Sequence, residues 1–466
     1  MDLVDFGVET RAAFASRRAR LASKLGAQPA LLPSGVPRPR NYAANTFPFR
    51  AVSHFLYLFG LPLRGAYAFW DGNAWSVYAP VPDPDAALWH GPEPTLAELA
   101  VAFGCRVLPL DQLPAAISRL RDRVGTLPAP DLETNQTLAG HLGRPVAAGQ
   151  FATVDEPLAD ALIDLRLSHD DAAIAGLRLA AEVTAAAHAA GMRATRPGIR
   201  ESVVRAAMEA EIIARGMTVA YGSIVTVHGE ILHNEVHHHA LGPRDMLLAD
   251  VGAETPGGWA GDVTRTWPVS GKYSATQADF YDVVLAAQIR TIAAVKPGVR
   301  YRDLHLLATT AMTEGLVALG ILHGDPAELV ADGVPYLLFP HGIGHLLGLD
   351  VHDMEDLGDR AGYAPKRNRS VDFGLRYLRL DRDLRPGMAV TIEPGLYIVP
   401  AILNDQGLVA RAKGRLDRHR LSQFDDVRGV RIEDDVLVIA DRDGHEVLTA
   451  AIPKKRDAVE AAIAAR

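Results

Sequence analysis

The sequence predicts two regions of different class: an α/β amino-terminal domain over residues 1–165, and an α+β carboxy-terminal domain over residues 166–466 with a pseudo-twofold internal repeat. Three observations lead there. Short strand-like runs separated by Pro-rich breaks fill the first region, as α/β domains do. Long Ala-rich helical stretches enter from Leu162 onward. A five-residue motif, Arg196-Pro197-Gly198-Ile199-Arg200, returns 100 residues later as Lys296-Pro297-Gly298-Val299-Arg300.

The elements follow in order. Residues 66–70 and 75–78 read as strands, and Pro80-Val81-Pro82-Asp83-Pro84 as the break after them. A helix is expected to start at Ser168, before Asp170-Asp171, with Ile174, Leu177, Ala181 and Ala185 on a helical period, and to end near Gly191. Each Pro-Gly motif closes one helical segment and opens another, over 201–215 after the first copy and 301–319 after the second, with strand-like segments following. Two similar halves packed about a shared sheet would bring both sets of strand residues to one cleft; two unrelated helices broken by Pro-Gly would not.

Composition narrows the function. Apolar residues make up 48% of the chain and charged residues 22%, which excludes a disordered polypeptide. Lys+Arg 48 against Asp+Glu 56 leaves a net charge of -8, so no cationic field exists to hold nucleic acid. The single cysteine, Cys105, permits no intrachain disulfide and no multi-thiolate zinc cluster, which fits a reducing compartment. The first twenty residues carry early acids and no apolar h-region, and no run approaches the apolar length of a membrane span. A cytoplasmic protein without a membrane partner is the expectation.

Acids inside apolar strands carry the chemistry. Asp250 interrupts the run 246–252, and Asp262 stands before Val263-Thr264-Arg265-Thr266, with Pro256-Gly257-Gly258 between. A hairpin centred on Pro256 would set the two aspartates opposite each other, where they repel unless one is protonated or a cation lies between. A metal site and a solvated hairpin with two turn-forming acids both account for this pair. In the second half, His341 and His345 stand four apart, but Gly342 and Gly344 between them make a helical zincin motif improbable. His352-Asp353 follows, then Glu393 and Glu433, each at the edge of an apolar strand where a lone buried acid is costly. Singly, each is more often a satisfied polar residue than a ligand; five together on repeated strands are harder to dismiss. The triple His237-His238-His239 reads as a solvated loop.

Asp250, Asp262, His345, Glu393 and Glu433, in the contexts ADVG, GDVTRT, HGIGHLLGLDVHD, TIEPGLY and VRIEDD, resemble the five ligands of the pita-bread metallopeptidases, aminopeptidase P and prolidase in particular. The resemblance covers about 300 residues of the carboxy-terminal region. A weaker one, through 14–18 and 49–57, extends to the amino-terminal domain of aminopeptidase P. Creatinase shares the fold without the metal set, so the intact ligands argue against it. The resemblance implies a pita-bread catalytic domain and two divalent ions, Mn²⁺ in the first place with Zn²⁺ or Co²⁺ possible, since oxygen donors and one imidazole suit all three. Asp262 and Glu433 would bridge, Asp250 would complete one ion, and His345 with Glu393 the other. By the same resemblance, water held there would have its pKa lowered toward about 7 and would attack the scissile carbonyl. Glu393 would pass the proton to the leaving proline nitrogen, and His352, His341 and His233 would orient substrate or stabilise the oxyanion. Tyr397 and Arg431 match the family's tyrosine and arginine.

Two departures stand out. The loop between the aspartates is one residue longer than its commonest form, and His54 stands where many aminopeptidases P carry an aspartate. Substrate length is open to two readings. Arg379 matches a prolidase position that can hold a dipeptide's carboxylate, and the long stretch between Tyr397 and Arg431 also resembles prolidase, whereas 49–57 is closer to aminopeptidase P. The expectation is cleavage before proline in Xaa-Pro-Yaa and longer peptides, with Xaa-Pro dipeptidase activity as the alternative, a non-catalytic pita-bread binding protein after it, and homo-oligomeric assembly as a dimer or larger.

Overall fold

The computed structural model describes residues 10–85 and 87–465. Their contacts divide the chain into two units. One runs through Gly176 and includes Pro256–Gly258 and Met354–Gly358; the other is Leu177–Thr255, Trp259–Asp353 and Asp359–Arg466.

The first unit is built on a mixed five-stranded sheet. Its strands are β1 (Ala30–Pro33), β2 (Tyr67–Trp70), β3 (Trp75–Ala79), β4 (Arg106–Pro109) and β5 (Gly125–Thr126), in the order β4-β3-β2-β1-β5. β1, β2 and β3 run antiparallel, with Leu31 opposite Phe69 and Phe69 opposite Ser76, while β4 and β5 join in parallel at the two edges. Leu31, Tyr67, Phe69 and Tyr78 pack with Leu113, Ile117, Leu138 and Leu142 into one core, so helices cover the sheet as an α/β pattern requires. The helix Ser53–Phe59 is buried along its whole length. His54 on it is 1% exposed: Nδ1 accepts from Arg166 Nη1 at 3.0 Å, and Nε2–H donates to Asp356 Oδ2 at 3.1 Å. Asp356 keeps about half of its side chain exposed; what burial it has works against its charge, but His54 and Arg166 outweigh that and hold the carboxyl down to about 2.

The helix expected to start at Ser168 is Asp171–Ala194. Its first turn is capped by Asp170, whose Oδ1 accepts from Ala173 N at 3.0 Å. The same carboxylate takes Arg17 Nε at 2.8 Å and Nη2 at 2.7 Å, a contact within the first unit, which includes the first turn of this helix. The expected division at 165 falls earlier, in the last turn of the helix Glu156–Arg166.

The second unit contains β6 (Thr218–Val219), β7 (Ile224–Thr226), β8 (Met246–Asp250), β9 (Ala253–Glu254), β10 (Thr264–Pro268), β11 (Ala389–Ile392), β12 (Gly395–Tyr397), β13 (Gly429–Arg431), β14 (Asp434–Val438) and β15 (His445–Val447). The repeated motif makes the same backbone connections twice. Gly198 N donates to Leu241 O and Gly298 N to Leu384 O, both at 2.8 Å. Leu241 N returns to Ile199 O, and Leu384 N to Val299 O, again at 2.8 Å. Gly198 and Gly298 both sit at positive φ, +88° and +85°, where a residue with a Cβ is strained. Each motif then opens a helix, Glu201–Ala214 and Tyr301–Ala318. Two three-stranded sheets follow, β10-β8-β7 from the first half and β11-β14-β15 from the second. Val225, Leu247, Ala249 and Trp267 turn into a core with Val204, Met208 and Ile212 of the helix below.

Candidate metal centre

The aspartates lie where the first-half strands end. Their register differs from the hairpin expected around Pro256: Asp250 pairs with Thr264, not Asp262, so the hairpin is centred one residue later. The pair continues through Val251 N to Val263 O at 3.1 Å, and then the backbones close on each other. A Cβ on Gly252 would lie 1.8 Å from Gly261 O, so glycine is required there. Asp262 is thereby displaced along the strand, yet both carboxylates reach one hydroxyl: Tyr221 Oη lies 2.5 Å from Asp250 Oδ1 and 2.6 Å from Asp262 Oδ1. Tyr221 was not foreseen from the sequence; it stands in a turn beside glycine with no periodicity to mark it.

The second half supplies the rest. The segment carrying His345 runs beside β11, with Thr391 N donating to His345 O at 3.0 Å and Glu393 N to Ile343 O at 2.8 Å. A Cβ on Gly344 would lie 2.4 Å from Thr391 O, so this glycine lets the two segments touch. Glu433 N donates to Thr264 O at 3.0 Å, and Thr264 Oγ1 to Glu433 Oε2 at 2.7 Å, joining β10 of one half to the β13–β14 turn of the other. Asp262 N donates to Asp435 Oδ2 at 3.1 Å across the same seam.

Asp262, His345 and Glu433 offer donor atoms within 4.8 Å of one another. His345 Nε2 is 3.3 Å from Asp262 Oδ2 and 3.7 Å from Glu393 Oε1. Asp250 is held from behind by Arg431, whose Nη2 lies 2.6 Å from its Oδ2. Burial and the neighbouring Asp250 push Asp262 up to about 7. Burial likewise raises Glu393 to about 7, against the pull of His345, and lifts Glu433 well above the usual carboxylate range together with Asp262 and Glu393. Arg431 offsets Asp250, but the remaining acids, Asp262, Glu393 and Glu433, are costly together in a buried space without a further cation among them.

The imidazole settles whether these donors fit a metal. His345 Nδ1 lies 3.0 Å from Leu346 O, an acceptor only, so Nδ1 carries the proton and the neutral ring presents the Nε2 lone pair to the carboxylates. A lone pair facing acids is the arrangement a divalent ion relieves, and Asp250, Asp262, Glu393 and Glu433 supply the hard oxygens such ions take.

A cavity of about 490 Å³ is lined by all five of these residues together with His233, His341, His352, Arg379 and Arg431. Tyr397 stands behind it. Arg431 Nη1 donates to Tyr397 Oη at 3.1 Å, Tyr397 donates to His341 Nε2 at 2.8 Å, and His341 Nδ1 donates to Gly342 O at 2.7 Å. Both nitrogens of His341 are thus engaged by protein atoms. Burial and then Arg431 lower its pKa to about 3, so the ring stays neutral. His352 packs on His345 with ring centroids 4.1 Å apart. His233 is lowered from the ordinary histidine value, by burial first and Arg431 second.

The histidine triple lies outside the lining of this cavity. His238 is exposed as expected of a loop, but His237 Nε2 is 2.7 Å from Ser223 O and His239 Nδ1 is 3.0 Å from the buried carboxylate of Glu201. His54 belongs to the first unit and is absent from the lining as well.

Residues 175–440 match the family described as metallopeptidase family M24, and residues 14–126 the family described as aminopeptidase P, N-terminal domain. The chain is 32% identical over 402 residues to a probable Xaa-Pro aminopeptidase of Fusarium vanettenii, covering 84% of this chain and 82% of that protein. It is 33% identical over 428 residues to another of that description from Colletotrichum graminicola, covering 90% and 88%. The aminopeptidase PepP structure from Pseudomonas aeruginosa superposes with a TM-score of 0.80 at 30% identity, covering 98% of each chain. Aminopeptidase P from E. coli, solved with the inhibitor Pro-Leu, gives 0.81 at 28% identity, covering 98% of this chain and 99% of its own.

Proposed function

The chain belongs to metallopeptidase family M24, and on that premise we propose that it is a Xaa-Pro aminopeptidase, a hydrolase that removes the first residue of peptides whose second residue is proline. The observation that carries this reading is the convergence of Asp250, Asp262, His345, Glu393 and Glu433 from both halves on one cavity. These five would hold two divalent ions, Mn²⁺ in the first place and Zn²⁺ or Co²⁺ by the same donors. When bound, such ions polarise a carbonyl and lower the pKa of water toward about 7.

The protein's own groups divide the remaining work. Glu393 takes up the proton that the attacking water gives up and delivers it to the proline nitrogen as that group leaves. His352 and His233, on the wall of the cavity, orient the peptide and stabilise negative charge developing on the scissile carbonyl oxygen. Arg431 acts from behind: it fixes Asp250 and, through Tyr397, the ring of His341. His341 therefore serves as a support, both of its nitrogens being occupied.

Arg379 in the lining supports a second reading as an Xaa-Pro dipeptidase, because a guanidinium there can take a dipeptide's carboxylate in a bidentate pair. Mass detection of products from Ala-Pro-Ala-Ala and from Ala-Pro separates the two: release of alanine from the tetrapeptide is expected, and activity confined to the dipeptide would replace the first reading by the second. A cytoplasmic setting and assembly into a dimer or larger homo-oligomer complete the proposal. The lone Cys105 supports the former, and sedimentation tests the latter. Among the described residues no helix is long and apolar enough to cross a membrane.

A further inference from the structure

Four arginines line the cavity; besides Arg379, three differ in how their charge is used. Arg431 is spent on Asp250, Thr264 and Tyr397. Arg369 is spent on Asp359, at 2.5 Å, and on the carbonyls of Arg376 and Leu378. Arg376 is not spent. Among the described residues its guanidinium makes one hydrogen bond, to Tyr377 Oη at 2.6 Å, and it lies over two rings, 5.4 Å from the centroid of Phe373 and 4.7 Å from that of Tyr377. Among the described residues no carboxylate pairs with it.

The loop that presents this cation is a built feature. Gly374, between Phe373 and Leu375, sits at φ +89°, and a Cβ there would lie 2.2 Å from Tyr336 Cγ, so the loop is seated directly on that ring. Arg376 N closes a turn on Asp372 O at 2.8 Å, and Arg369 clasps the far side through the carbonyls already named. Arg376 and Tyr377 are exposed, whereas Asp250, Asp262 and Glu433 are buried, so the cation stands at the outer end of the cavity that holds the acids at its inner end.

A peptide cut after its first residue places that residue and the scissile bond at the inner end, so what reaches the outer end lies beyond proline. We propose that Arg376, on its platform of Phe373 and Tyr377, is a specificity-determining residue that binds a carboxylate carried by the residue following proline. This rests on the reading of the chain as an Xaa-Pro aminopeptidase. A stacked guanidinium keeps its remaining N–H groups in one plane, the geometry a carboxylate accepts. The carboxylate has two sources, the free carboxy terminus of a tripeptide or an acidic side chain at that position.

The test compares kcat/KM on Ala-Pro-Ala, Ala-Pro-Ala amide and Ala-Pro-Glu amide for the wild-type metal-loaded enzyme, Arg376→Ala and Arg376→Lys, with metal content measured on each. The wild type is expected to favour a carboxylate-bearing peptide over Ala-Pro-Ala amide, and Arg376→Ala to shrink that preference by about three- to fivefold, the change residing in KM. Arg376→Lys should recover part of it. An advantage confined to Ala-Pro-Ala identifies the carboxy terminus, and one shared by Ala-Pro-Glu amide identifies the side chain. Equal losses on all three peptides, or a preference that Arg376→Ala leaves intact, overturn the inference while leaving the aminopeptidase reading in place. A wild type that cleaves none of them overturns that reading, and this inference with it.

Discussion

Nε2 of His345 faces Oδ2 of Asp262 across 3.3 Å while the other nitrogen of the same ring is committed to Leu346 O, so a histidine lone pair from one half of the second unit meets a carboxylate from the other. Neither group supplies the cation between them. Two divalent ions per chain at saturation are therefore expected, together with loss of activity on chelation. Glu433→Ala should lose metal as well as rate, since its carboxylate is shared by the set. Elemental analysis of the purified variant is the measurement, and full activity in metal-free protein would sink the assignment.

His352 packs on His345 and belongs to the cavity wall rather than to the donor set. His352→Ala should lower kcat by about 10- to 100-fold, the common cost of removing a group that supports a metal site, with metal content nearly unchanged. Equal turnover by the variant and the wild type on an Xaa-Pro peptide would remove His352 from the reaction.

Gly374 combines a positive φ with direct backbone contact on Tyr336. Gly374→Ala should destabilise the chain by about 1–3 kcal/mol through backbone strain alone, and more if Tyr336 cannot move aside. Thermal unfolding reads this directly. Adding Tyr336→Ala should relieve the clash and leave the strain, so the double variant should lose less than the two single losses combined.

Asp356 offers a pH signature in the first unit. Its carboxyl is depressed to about 2, so in the folded state it stays ionised where an unfolded carboxyl, near about 4, has begun to take up a proton. That contribution is present above pH about 4 and is lost as pH falls toward about 2. Asp356→Asn should lower the midpoint of thermal unfolding at neutral pH, with the gap to wild type closing as pH falls through that window. A gap that is constant with pH would show that His54 and Arg166 do not stabilise the ionised form.

Much of this was legible because the signals are local. Pro-Gly after a helix fixes a turn wherever it occurs, and its recurrence at Pro197-Gly198 and Pro297-Gly298 announced the doubled architecture that the paired bonds to Leu241 and Leu384 display. An acid at the end of an apolar strand is equally conspicuous, which is why Asp250 and Glu433 drew notice, although only the set of five together carried the metal reading. What escaped depends on partners distant in the chain. The hairpin register turned on how closely Gly252 and Gly261 approach, a backbone property that side-chain alternation does not record. Tyr221 serves carboxylates 29 and 41 residues away. Asp170, not Ser168, caps its helix because Arg17, 153 residues earlier, fixes that carboxylate.

The seam between β10 and the turn after β13 has a consequence for how the protein is made. Asp262 is positioned by Asp435, 173 residues further on, and Thr264 reaches Glu433 across 169. A ribosome that has completed the strands of the first half has therefore produced two aspartates whose counterparts are not yet synthesised. Contacts of such separation are slow to form because a long loop must close first. The nascent chain passes through a stage with an incomplete acidic site and uncovered strand edges, the condition in which partly folded chains associate. The five candidate donors therefore stand together only once the last strands are made, so a metal held by all five would be captured after those strands rather than guiding the first.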